Sequence, residues 1–142
     1  MDITASNAVF MLSVTTIFPV AQKLQGFSAD AAFATDSVEI AQTGKGVDGK
    51  MFAGYTPYNT PQNVTIMPDS PSLQLFLQWM QTMKVTQGIY VAQGSVSIPS
   101  IRQKWTLSNG VLQRAPSIPT AQKVLQAMEF QIVWDSVDPA PF

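Results

Sequence analysis

The chain spreads only eight Lys or Arg and nine Asp or Glu over 142 residues. This scarcity of charge constrains it more than any motif. A compact monomer of this mass exposes about 7,200 Å². These charges supply about one per 420 Å², roughly half the density that an ordinary ~25% charged composition gives. Hydrophobic residues make up 46%, enough for a real core rather than disorder. Too much uncharged surface is left for a body that stays alone. The reading is a building block that covers its outside with further copies of itself.

The same composition excludes most chemistry. There is no Cys and no His, and the net charge is −1. Disulfides, thiolate metal sites and the commonest metal ligand and general base are absent. No basic surplus attracts nucleic acid. Gly44, Lys45, Gly46, Val47, Asp48, Gly49 and Lys50 match the first seven positions of a phosphate-binding loop, but Met51 stands where a hydroxyl must hold magnesium. The residues that follow look extended, so no helix aims its N-terminus at a phosphate. A serine nucleophile needs a lysine base here, and no Ser-x-x-Lys occurs. Asp36/Glu39 and Asp135/Asp138 are the nearest carboxylate pairs, and they read as solvated strand ends. Asp48 lacks the spaced acids of a calcium loop. Asn63-Val64-Thr65 fits a glycosylation sequon, which matters only in a secretory pathway. No catalytic residue, cofactor or metal is assigned, and the chain reads as a non-enzyme.

One domain spanning residues 1–142 is expected. Ile3 to Gln22 carries no charge, but its Thr, Ser and Asn content and Pro19 argue against a membrane span. It reads as a strand apolar on both sides, with Phe10, Leu12, Val14 and Phe18 on one and Val9, Met11 and Ile17 on the other. Val20 to Phe27 continues as a second apolar segment. Ala31 to Thr43 reads as a strand, followed by a long loop at 44–61 that contains the short strand Met51–Thr56. Asn63–Met67 is another short strand. A helix is predicted at about 70–87. Asp69 or Ser70 caps it, Pro71 enters its first turn, and Leu73, Phe76, Leu77, Met80 and Met83 recur at helical spacing. Leu75 and Trp79 widen that stripe, and the end falls near Gln87-Gly88.

Ile89 to Ile98 is strand-like. Ile101, Gln103, Trp105 and Leu107 alternate with Arg102, Lys104 and Thr106, which makes Arg102 and Lys104 a same-face pair for an interface or channel lining. Asn109-Gly110 predicts a two-residue hairpin turn, pairing Leu107 with Leu112 and placing Arg114 over Trp105. Val124, Met128, Phe130, Ile132 and Trp134 share one face of a last strand. A loose, Pro-rich tail closes the chain at 138–142.

Ser100-Ile-Arg-Gln-Lys-Trp-Thr-Leu-Ser-Asn-Gly-Val-Leu112 resembles a strand–Asn-Gly–strand segment of phage tail tube proteins. Ala121-Gln-Lys-Val-Leu125 with Phe130-Gln-Ile-Val-Trp134, the Gly46-Val-Asp-Gly-Lys-Met51 loop and the single helix are similar too. The resemblance covers roughly residues 36–135. It implies a mainly-β fold, a β-sandwich or partial barrel flanked by one helix. It implies that six copies close a ring by joining sheets edge to edge. Such rings stack into a hollow virion tube, of a contractile tail by preference, which conducts DNA at ejection without binding it specifically. The chain itself, sheath, baseplate and tape-measure proteins are the implied partners, with no membrane, and the protein is made in the host cytoplasm. Family loops reach neighbouring rings, so Gly44 to Lys50, Tyr55 and Tyr58 form the candidate inter-ring contact. The alternatives are a baseplate or receptor-binding module, with Tyr55 and Tyr58 as glycan contacts, a tube initiator or terminator, or a secretion-system tube.

Overall fold

Alternating apolar residues near the C-terminus build the centre of the molecule. The computed structural model describes residues 8–15, 17–24, 33–116, 118 and 125–141. Its strands are β1 (Val9–Val14), β2 (Phe18–Lys23), β3 (Phe33–Thr35), β4 (Ala41–Lys45), β5 (Met51–Tyr55), β6 (Thr60–Ile66), β7 (Ala92–Ile98), β8 (Gln103–Arg114) and β9 (Met128–Ala140), and its helix is α1 (Leu73–Thr86). Among the described residues seven strands form one antiparallel sheet in the order β2-β1-β7-β8-β9-β6-β3, while β4 and β5 pair only with each other.

On β9, Met128, Phe130, Ile132 and Trp134 are buried on one face. Directly opposed residues share a face, so the register Val64↔Phe130 and Gln62↔Ile132 places the buried side chains of β6 beside them. Phe10, Leu12 and Val14 of β1 extend this face across the sheet. The helix lays Leu73, Phe76 and Trp79 over it, and the Phe76 ring stacks on Phe130 with centroids 4.5 Å apart. Each such side chain contributes about 1.5–3 kcal/mol by leaving water. The indole N–H of Trp79 donates to the Tyr90 carbonyl at 3.0 Å, tying the segment after the helix back to it.

The sheet curls. Ala34 of β3 and Val96 of β7 belong to strands separated by three others, yet both line one open cavity of about 280 Å³. The fold is therefore mainly β with one flanking helix, as expected, carried by a single open sheet.

The helix begins at Leu73 with Ser72 as its N-cap and no side-chain cap, so neither Asp69 nor Ser70 caps it and Pro71 precedes its first turn. The Ser70 hydroxyl accepts the Ser72 N–H at 3.1 Å and leads into Leu73. At the other end Gln87 adopts φ 53°, the left-handed geometry that stops a helix. Among the described residues no helix is long and apolar enough to cross a membrane.

Several expectations are corrected. The uncharged N-terminal stretch is not one strand: β1 and β2 fold back on each other with a bulge between Leu12 and Val14. Pro19 is tolerated because β2 is an edge strand. The predicted strand 31–43 is interrupted, since residues 36–40 lie between β3 and β4 without regular structure. The 44–61 loop is mostly ordered as the β4–β5 pair and its tip.

Asn109-Gly110 does not turn the chain. Strand β8 runs straight through it, pairing Leu107 with Gly94 and Gly110 with Ala92, so one extra residue bulges at Asn109. Asn109 takes φ 53°, and its side chain and N–H meet the Gln93 amide at 2.9 and 3.4 Å. A Cβ on Gly110 would lie 2.5 Å from the Trp134 ring, so the glycine makes room for that indole instead of a hairpin. Leu107 faces Val137, Leu112 faces Ile132, Trp105 faces Pro139 and Arg114 faces Gln131; the predicted cross-pairs do not form. The tail is not loose, because β9 continues to Ala140 against the first half of β8. Beyond Trp134, β6 no longer flanks β9, so Pro139 sits where β9 is itself an edge. Val124 lies outside the described residues.

Candidate assembly interface

The β4–β5 arm is the most exposed ordered element. Its register runs from Ala41↔Tyr55 to Lys45↔Met51, and the Gly46 N–H donates to the Lys50 carbonyl to close the tip. Alternation puts Gln42, Gly44, Phe52 and Gly54 on one side and Ala41, Thr43, Lys45, Met51, Ala53 and Tyr55 on the other. Phe52 lies flat over Gly44, where a Cβ would meet its ring at 2.5 Å. Phe52, Met51 and Tyr55 nevertheless remain 63%, 69% and 74% exposed, and Val47 at the tip is fully exposed. Tyr55 and Tyr58 meet edge to face at 6.4 Å. An isolated two-stranded ribbon is marginal in water. Apolar side chains on both of its sides therefore await cover that the single chain does not supply.

The sequence singled out Gly44 to Lys50, Tyr55 and Tyr58, and the structure brings all of them onto this arm or its root. Arg102 and Lys104 do not form the expected strand pair. A short 3-10 turn at Pro99–Ile101 ends at Arg102, which takes φ 53°, and only Lys104 lies in β8. Ser97 and Ala140 flank Lys104. Arg102 is an exposed turn residue.

Sequence reasoning missed the two sheet edges. Strand β2 buries Phe18 and exposes every residue from Pro19 to Lys23. At the far end β3 holds Ala34 and Thr35, both exposed. Among the described residues neither edge has a further strand beside it, and the two edges are different strands. No local signal announces this, because an edge is a property of strand order. A three-residue edge offers a ladder of only about 10 Å.

Residues 1–138 match the family model described as tail fiber protein gp32. The chain belongs to that family. The solved structures it resembles agree in fold. A chain of the anti-feeding prophage baseplate, symmetrised six-fold, superposes with TM-score 0.61 at 13% identity, covering 99% of this chain and 97% of that one. A chain of the anti-feeding prophage tube-terminating cap gives 0.52 at 10% identity, covering 100% and 94%. A chain of an extracellular contractile injection system sheath–tube complex gives 0.51 at 14% identity, covering 94% and 88%. No curated protein sequence matches.

Proposed function

We propose that this chain is a structural, non-enzymatic virion component that assembles with itself into rings, six-fold by analogy, which stack into the tube of a phage tail. The observation that carries the reading is the open sheet whose two ends are unlike strands, β2 and β3. Unlike edges join head-to-tail, and head-to-tail contacts close into rings when the rotation permits. Family membership and the fold shared with baseplate, cap and sheath–tube chains support a place in the tail. The tube's further contacts are with sheath, baseplate and tape-measure proteins, and synthesis is in the host cytoplasm.

The face opposite the helix suits a channel. Register places Ser13, Ser95, Ser97, Thr106, Ser108 and Ser136 there with Lys23, Lys104, Glu129 and Asp138. Hydroxyls with balanced charge offer no basic stripe to hold a phosphate backbone, so DNA passes without specific binding. Negative-stain electron microscopy of the purified protein, with its mass measured in parallel, tests the reading. Rings or tubes with a central hole are expected, and a persistent monomer at high concentration sinks it.

A second reading is a baseplate-proximal initiating ring, favoured by the larger TM-score to the baseplate chain. Isolated rings that never stack identify that role; long tubes exclude it.

A further inference from the structure

The arm sorts its charges along its length. Lys45 and Lys50 flank the tip, with Asp48 between them accepting the Lys50 backbone N–H at 3.1 Å. Asp36 and Glu39 stand at the root, where the chain leaves β3. Tip and root are thus net positive and net negative. Five residues of strand separate them by about 17 Å, twice the ~8 Å screening length at physiological salt. Within one chain they cannot neutralise each other. Between them, Phe52, Met51 and Tyr55 stay uncovered.

We propose that the arm tip of one copy docks on the arm root of another, so that Lys45 and Lys50 meet Asp36 and Glu39 of a second copy of this chain. The arms then overlap tip to root, and the overlap covers the apolar side chains between. The occupant is fixed by two complementarities on the same element: opposite charge at its two ends and apolar surface along both sides. Because tip and root are different surfaces, the contact is head-to-tail, and along a direction in which the rotation does not close it builds a series. This deepens the stacking reading above and rests on it, since a series along one direction is what ring-on-ring growth requires.

The absence of cysteine makes the test clean. The full-length chain carrying Val47→Cys at the tip and Ser37→Cys at the root is oxidised and run without reductant. A ladder of multimers beyond the dimer is expected. In a Lys45→Glu/Lys50→Glu background its yield falls about tenfold or more, the factor expected for replacing two attractions by two repulsions. Adding Asp36→Lys/Glu39→Lys restores it. All these positions are exposed, and circular dichroism checks that each variant folds. No cross-link, cross-linked dimers alone, or a ladder indifferent to the swaps overturns the proposal. Imaging the same samples keeps the two readings apart. Rings or stacks without the ladder sink the tip-to-root contact and leave the tube; a ladder without rings sinks the tube and leaves the contact.

Discussion

The centre of the sheet and the β4–β5 arm are built from the same kinds of residue and meet opposite fates. Around β9, Trp134, Phe130 and Ile132 lose all solvent contact, covered by β6, β8 and the helix. On the arm, Phe52 on one side of the ribbon and Met51 and Tyr55 on the other stay mostly exposed. The side chains are alike in hydrophobicity, although β9 gathers them on one face and the arm carries them on both. The difference is the number of layers available: β9 lies between two neighbours under a helix, whereas β4 and β5 have only each other. On the proposed reading, another copy supplies the second layer that the arm lacks, so that apolar side chains stabilise the fold in one region and assembly in the other.

Substitutions at the centre should be costly to folding. Trp134→Ala should destabilise by about 3–5 kcal/mol, near the upper end because it also strips the Gln62 side-chain carbonyl of the indole N–H it accepts at 2.8 Å. Urea denaturation of a preparation kept below its assembly concentration reads this directly. Trp134→Phe should lose less, since it keeps most of the volume and gives up the hydrogen bond. Equal losses for Ala and Phe would show that the polar contact, not packing, governs this position. Gly110→Ala should cost about 1–3 kcal/mol through overpacking against the same ring. Wild-type stability for that variant would mean that the sheet centre yields as readily as the arm, and the contrast between the two regions would collapse.

A smaller effect tests the bulge that joins these pieces. Asn109→Ala should lose roughly 1–2 kcal/mol, the cost of left-handed geometry for an ordinary residue, together with the Gln93 contacts. Asn109→Gly should recover most of it, because glycine takes φ 53° without strain. If Ala and Gly variants melt alike in urea, the Gln93 hydrogen bond rather than the backbone holds the bulge.

The helix was legible because Leu73, Phe76 and Met80 repeat at its period and Gln87-Gly88 marks its end, whereas Pro71, expected in the first turn, precedes the cap at Ser72. The central face was legible for the same reason, from Met128 to Trp134. Asn109-Gly110 misled because a turn rule weighs two residues, while the outcome depended on Trp134 needing space and Gln93 offering its amide, far away in sequence. The tail misled because Pro139 reads as a breaker, and only strand order shows that β9 has a free side there. Of the interface, the arm was visible as a glycine-rich stretch with Tyr55 and Tyr58. The β2 and β3 edges were not, since nothing in Val20 or Ala34 says that a strand ends a sheet. The Arg102/Lys104 pair failed because a 3-10 turn broke the alternation one residue before the strand began.

The smallest expected change in stability carries the sharpest test of the comparison. Phe52→Ser removes a ring that is 63% exposed and lies over Gly44 of its own ribbon. Unfolding free energy measured on the unassembled chain should stay within about 0.5 kcal/mol of wild type, as for other surface substitutions. Stacking, followed by electron microscopy and sedimentation at equal concentration, should fall sharply, because the ring's missing second layer lies on another copy. The opposite pattern, a chain that melts early yet stacks normally, would place Phe52 in this chain's own core under conditions of assembly. The arm would then be a second folding unit rather than a contact. A variant unchanged in both respects would leave Met51 and Tyr55, on the other side of the ribbon, as the face that another copy covers.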